Sequence, residues 1–281
     1  MHAADRFALS DDLAHRVLDR LGVAAPGPNG LEGLEAVYRA WCRGVPFDNI
    51  TKRLFQAGGA IGTVPGSTAR EFFATWLERG IGGTCWSSTI GLTALLSWLG
   101  FDARLVVGTM LTDPSVSPNH SSTVVTIDGS AYLVDTSMLY ERPLLLDPAV
   151  PTHHEDALHP VRATPHGGRW TIEWMPGHFR SAFIACDTST ERVADTDLAA
   201  WHDRTRRQSL FNDTLFIRRN LEHSILSYGR GKAIRVDARG TLSKEAIPST
   251  ELPGWLVEQF GIAPEVVATL PPDVAEGEAF L

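Results

Sequence analysis

Between a run rich in β-branched residues, Ser121–Ile127, and a second strand-like run, Ala131–Asp135, lies the dipeptide Asp128-Gly129. Two residues of this kind select a tight hairpin, because both central positions of the favoured turn need φ > 0. Such a turn fixes the register. It pairs Ile127 with Ser130, sets Ser122 opposite Asp135, and aims His120 at Ser137. Side chains alternate along a strand, so His120 and Ser122 share a face. His120 and Asp135 become diagonal neighbours, roughly 7–8 Å apart at the backbone and within reach of each other's side chains. A three-residue loop would shift the parity and separate them.

The preceding hundred residues have a different texture. Ser10 caps a segment opening with Asp11 and Asp12, in which Leu13, Val17 and Leu21 recur every fourth residue until Gly22. A second helix carries Leu31, Leu34, Tyr38, Trp41 and Cys42 on one stripe. Thr68-Ala69-Arg70-Glu71 is a capping box ahead of Phe72, Phe73, Trp76 and Leu77. Val45 to Gly66 reads as turns. After Gly80-Ile81-Gly82-Gly83 a fourth helix starts near Cys85 and ends at Gly100.

Beyond it come strands: Arg104–Met110, the hairpin, Trp170–Met175 and Ser181–Cys186. A helix follows from Asp195 to about Arg206, then strands over Thr214–Arg218, His223–Tyr228 and Lys232–Val236 and a short run ending near Ile247. Helices around Trp255–Phe260 and Pro264–Leu270 close the chain. Helices followed by strands make this an α+β chain.

Twenty-five cations against 33 acids leave a formal charge of −8, which argues against a nucleic-acid partner. No apolar run of membrane length and no signal peptide is visible, and three cysteines cannot all pair. A cytoplasmic setting is the expectation.

A thiol in the first turn of a helix, after two glycines, sits where the helix dipole and free N–H groups favour a thiolate and can hold an oxyanion. An imidazole beside a carboxylate is the matching half of the device. Cys85, His120 and Asp135 are therefore the candidate catalytic residues. Taken singly each has an ordinary reading, as buried filler, a loop histidine and a strand-end aspartate. Cys42 and Cys186 are expected in the core.

The pieces Val45-Pro46-Phe47-Asp48-Asn49, Gly82-Gly83-Thr84-Cys85, Leu99-Gly100-Phe101, Asn119-His120 and Tyr132-Leu133-Val134-Asp135, with a weaker echo in Ser209-Leu210-Phe211, occur in one order and spacing. In these the chain resembles the arylamine N-acetyltransferase family, densely over residues 45–150. The resemblance implies an N-terminal helical bundle (1–99) carrying the nucleophile, a central β-barrel (100–192) carrying His and Asp, and a C-terminal α/β lid (193–281). It also implies transfer of an acetyl group from acetyl-CoA, through a thioester on the cysteine, to an arylamine-type acceptor, with no metal.

Around its nucleophile the family usually reads Arg-Gly-Gly-x-Cys-x-Glu-x-Asn. Here Ile81, Ser87 and Thr89 stand at the Arg, Glu and Asn positions, and Thr136-Ser137-Met138-Leu139 replaces Val-Gly-Phe-Gly after the aspartate. An ion pair beneath the site has gone as a unit. Losing one partner would strand a buried charge, whereas losing both can be neutral. The departures leave donor and acceptor open. A longer or carrier-bound acyl thioester, a hydrolase on the same triad, and a non-catalytic binding module are the alternatives.

Phe47, Trp86 and Met138 are candidates for the acceptor pocket. Arg204, Arg206, Arg207, Arg218 and Arg219 could meet CoA phosphates or form ordinary charged surface, so no residue is assigned to CoA. The stretch His154 to His159 has its histidines one residue too far apart for a zinc-protease helix, and reads as a solvated loop.

Overall fold

The computed structural model describes residues 6–24, 30–178 and 182–273. Helix α1 (Asp11–Leu21) starts where the Ser10 hydroxyl accepts from Leu13 N and stops at Gly22, φ 68°. Helix α2 (Leu31–Gly44) follows. Strand β1 (Phe47–Asp48) and helix α3 (Ile50–Ala57) occupy the stretch read as turns, which is a correction. Helix α3 gives no ordinary signal, because Asn49 makes no side-chain cap and Lys52 and Arg53 are buried.

At helix α4 (Ala69–Arg79) Thr68 Oγ1 accepts from Glu71 N at 3.1 Å. The Glu71 carboxylate reaches back one residue further than in a standard box, to Ser67 N. Helix α5 (Cys85–Trp98) is buried on every face from Cys85 to Leu96, as expected of a helix apolar all round.

Strands β2 (Asp102–Met110), β3 (His120–Ile127), β4 (Ser130–Val134), β5 (Leu144–Leu145), β6 (Thr152–His154), β7 (Val161–His166), β8 (Arg169–Trp174) and β9 (Ile184–Ser189) form one antiparallel sheet. Its order is β5-β4-β3-β2-β9-β8-β7-β6. The end strands β5 and β6 touch, so the sheet is a nearly closed barrel, and α5 packs on β2 and β3. Asp128 (φ 49°) and Gly129 (φ 80°) make the tight turn, with Ile127 paired to Ser130 and Thr123 to Val134. Ser181, the start of one expected strand, lies outside the described residues, and the observed strand begins at Ile184.

After helix α6 (Asp195–Arg204), strands β10 (Phe216–Leu221), β11 (Ser224–Gly229), β12 (Lys232–Asp237) and β13 (Leu242–Ala246) form a second sheet. Its edge is completed by β1, where Phe47 pairs with Arg218. Helices α7 (Leu252–Phe260) and α8 (Pro264–Val267) close the described chain. One apolar cluster runs from α1 through the barrel. A second joins Ile50 and Ile81 to Leu215, Leu226, Leu256 and Phe260. The early segment 45–83 is thus clamped between both sheets, and that clamp positions the start of α5.

Candidate active site

Cys85 is the first residue of α5, directly after Thr84, whose side chain makes no capping bond. The opening N–H groups of a helix have no partner within it. The loop ahead is stitched to β1. Asp48 N donates to Gly83 O, and Gly82 N donates to Asp48 Oδ2 at 2.7 Å. Burial is the main influence on that carboxyl and pushes it up to about 7, against two backbone N–H bonds that lower it. From the barrel side, Ser121 Oγ donates to Cys85 O at 3.1 Å.

The hairpin brings His120 Nε2 to 2.7 Å from Asp135 Oδ2. With Nε2 engaged, Nδ1 is the ring nitrogen left for Cys85, and both residues line one cavity. Asp135 is fully buried, and its oxygens are saturated. Ser137 N, Ser137 Oγ and Met138 N each donate to Oδ1 at 2.8 Å, and Ser122 Oγ donates to Oδ2. The Tyr38 hydroxyl donates to Asp135 O and accepts from Asp135 N.

Burial alone would raise this carboxyl. The charge and hydrogen bond of His120, with the Ser122 and Met138 bonds, outweigh it and hold Asp135 down at about 2. Burial would likewise lower His120, but the charge and bond of Asp135 and the bond to Cys85 hold it well above its ordinary value. A buried imidazole held between a thiol and a fixed carboxylate can take a proton from the thiol and return it.

Beneath the helix start lies a network of buried hydroxyls. Ser88 Oγ donates to Thr84 O and shares a second hydrogen bond with the Thr136 hydroxyl, both at 2.7 Å, and Thr89 Oγ1 donates to Ser121 O at 3.0 Å. A neutral, satisfied network carries no buried charge to compensate.

The site opens on a cavity of about 460 Å³. Phe47 and Trp86 line it, as do Trp201 and Phe211. Met138 does not. It is packed in the core, 1% exposed, and supplies its N–H to Asp135, which corrects the expectation for this residue. The sequence pieces around Phe47 and Phe211 meet here. Asn49 Nδ2 donates to the carbonyls of Phe211 and Thr214, and the rings of Phe47 and Phe211 lie 5.3 Å apart.

The five arginines do not gather. Arg204 is held by the carbonyls of Ser117 and Pro118, Arg206 by those of Ala60 and Gly62, and Arg219 lies over Phe260. Of the five, Arg204 and Arg218 line the cavity. The His154–His159 stretch is only partly a solvated loop. His154 ends β6, and His159 is buried beside Asn220 and Glu141.

Sequence reasoning missed Lys52, which lines the cavity while 7% exposed. Its one signal was rarity, since only Lys52, Lys232 and Lys244 are lysines. Among the described residues no helix is long and apolar enough to cross a membrane.

Cys42 and Cys186 are fully buried and burial pushes both thiols up, whereas Cys85 faces the cavity. Iodoacetamide at neutral pH should therefore alkylate Cys85 stoichiometrically, with the other two far slower. Peptide mapping that finds equal labelling would refute an activated Cys85.

The fold resembles solved arylamine N-acetyltransferases. The Mycobacterium marinum structure superposes with a TM-score of 0.76 at 21% identity, over 92% of this chain and 95% of that one. The Salmonella typhimurium structure gives 0.78 at 17%, over 94% and 98%. A further M. marinum structure is a complex with CoA. Among curated proteins, an arylamine N-acetyltransferase of Mycolicibacterium smegmatis is 26% identical over 212 residues, 69% of this chain and 71% of its own length. Proansamycin X synthase of Amycolatopsis mediterranei is 25% identical over 143 residues, 49% and 54%. The protein is an acetyltransferase enzyme. The N-acetyltransferase family model matches residues 30–267, and the chain belongs to that family.

Proposed function

We propose that the enzyme transfers an acetyl group from acetyl-CoA to an arylamine-type acceptor by a ping-pong mechanism through a thioester on Cys85. The observation that carries this reading is the linkage of Cys85, His120 and Asp135 at the floor of an aromatic-walled cavity. In this scheme His120 takes the thiol proton as sulfur attacks the donor carbonyl, and the departing CoA sulfur leaves with that proton. An amine then attacks the Cys85 thioester, His120 accepts the amine proton, and Cys85 leaves as the thiol. Asp135 keeps the imidazole oriented and stabilises its charged form. N–H groups at the helix start provide donors for the oxyanion. The region 1–99 would supply the nucleophile, 100–192 the His and Asp, and 193–281 the lid over the cavity.

Phe47 and Trp86 are assigned to the acceptor wall. The hydroxyls at Ser87, Ser88, Thr89, Thr136 and Ser137 alter shape and polarity beside the sulfur, and transition-state contacts set acceptor choice. Mixing the enzyme with acetyl-CoA should add one acetyl group to Cys85 within a single turnover, read by intact mass. A chase with aniline should discharge it more slowly than a chase with a larger aromatic amine. Equal discharge would show the departures to be neutral. Absence of acetylation, with Cys85 still alkylated by iodoacetamide, would overturn acetyl-CoA as donor in favour of a carrier-bound acyl thioester or a hydrolase.

A further inference from the structure

Helix α3 presents Lys52 to the same cavity as Cys85, and its other side borders a small void shared with Asp48, Ser87 and His202. A lysine 93% removed from solvent ordinarily has an anionic partner. Lys52 makes no hydrogen bond or ion pair among the described residues. Asp48, the nearby carboxyl, is committed to Gly82 N and Ile50 N. His202, packed on Trp86, is a neutral neighbour, held down to about 3 by burial and then by the charge of Lys52 itself. The anionic neighbour that raises Lys52 is Cys85, and burial outweighs it, bringing the ammonium down to about 7. Lys52 is thus a buried amine on the wall of the Cys85 cavity, with no partner among the described residues for its charged form.

Building on the acetyl-transfer reading, we propose that Lys52 is a specificity-determining residue that pairs with a carboxylate carried by the amine acceptor. Acylation places the argument on the acceptor. In the free enzyme Cys85 is the group whose charge favours the ammonium form of Lys52. Once sulfur is in a neutral thioester that influence is gone, and the Lys52 amine is left facing a cavity whose wall combines aromatic rings with the charged Asp113, Asp213, Arg204 and Arg218. An aromatic amine bearing a carboxylate restores the balance at the moment it must bind, with its ring between Phe47 and Trp86. A carboxylate on the acyl group would meet the same amine earlier, during attack on the donor, while the sulfur of Cys85 is still unacylated.

The test compares wild type with Lys52→Met and Lys52→Gln, using aniline, 3-aminobenzoate and 4-aminobenzoate as acceptors and acetyl-CoA or succinyl-CoA as donors. In the wild type at least one aminobenzoate should exceed aniline in kcat/KM by about 10- to 100-fold, as one charge-assisted hydrogen bond provides. Both variants should lose that ratio, chiefly through KM. An aminobenzoate-to-aniline ratio unchanged by either substitution overturns the proposal. A preference for succinyl-CoA that depends on Lys52, without an acceptor preference, overturns the acceptor assignment and moves the carboxylate to the acyl group.

Binding is followed separately by thermal shift. Benzoate should raise the Tm of wild type more than benzamide does, and this difference should vanish in both variants. That readout needs no turnover, so a Lys52-dependent benzoate shift in an enzyme that fails to acetylate from acetyl-CoA would overturn the donor reading while sustaining the carboxylate site. No benzoate shift in an enzyme that does acetylate would overturn the carboxylate site alone.

Discussion

Asp135→Asn is expected to lower turnover by about 10⁴-fold with the fold retained, on the precedent of triads in which the orienting aspartate is made an amide. The reason lies in how the carboxylate is surrounded. Oδ1 receives three donors, Ser137 N, Ser137 Oγ and Met138 N, so the amide oxygen must take that position. The amide nitrogen is then forced toward His120 Nε2 and donates to it. An imidazole that accepts at Nε2 carries its proton on Nδ1, facing Cys85 with a hydrogen where a lone pair is needed. Rotation of the amide is blocked, since it would set an NH₂ against two backbone N–H groups.

Single-turnover acetylation followed by mass, with circular dichroism to check the fold, reads the effect. Turnover within tenfold of wild type would remove Asp135 from the mechanism. Stability should respond as well. The folded-state carboxyl sits at about 2, below its ordinary 3.8. Its contribution is fully present above the unfolded value and is lost as pH falls through about 2. Urea midpoints of the wild type should therefore drop toward low pH more steeply than those of Asp135→Asn.

The His–Asp half of the site was legible because a hairpin is a local device. Asp128-Gly129 sets parity, and parity alone puts His120 and Asp135 on one face. Local caps were legible for the same reason, at Ser10 and Thr68. What stayed hidden depends on distant partners. Asn49 does not cap α3, because its side chain bridges to Phe211 and Thr214 across the fold. Lys52 and Arg53 turn inward from that helix, one to the cavity and the other to Asp273, so its polar positions mimic a loop.

In the barrel, β7 contains Pro165 and β6 is three residues long. Neither carries a strand pattern, yet both are needed to bring the sheet round to β5. Met138 looked like pocket wall because it is apolar and three residues from Asp135. The turn after β4 instead folds it into the core to serve the carboxylate through its backbone. Proximity in sequence to a catalytic group carries no information about which side of that group a residue occupies.

Gly82→Ala should be among the most damaging single methyl additions at the described glycines. A Cβ at Gly82 would stand 1.8 Å from Pro46 O and 2.9 Å from its carbonyl carbon, both backbone atoms that cannot rotate aside. The loop and β1 would have to separate, breaking the Gly82 N bond to Asp48 and the Asp48 N bond to Gly83 O. Overpacking together with buried hydrogen bonds left unmade costs about 3 kcal/mol or more. The same separation displaces the start of α5. A misplacement of about 1 Å at a reacting atom can lower rate about 10²-fold.

The neighbouring glycine supplies the control. A Cβ at Gly83 would meet Ser87 Oγ at 2.2 Å, a hydroxyl that can swing away to another rotamer. Gly83→Ala should therefore cost markedly less in both stability and acetylation rate. Urea unfolding and single-turnover acetylation of the two variants side by side decide the matter. Equal losses would show that backbone contact at Pro46 is not what holds Cys85 in register with His120.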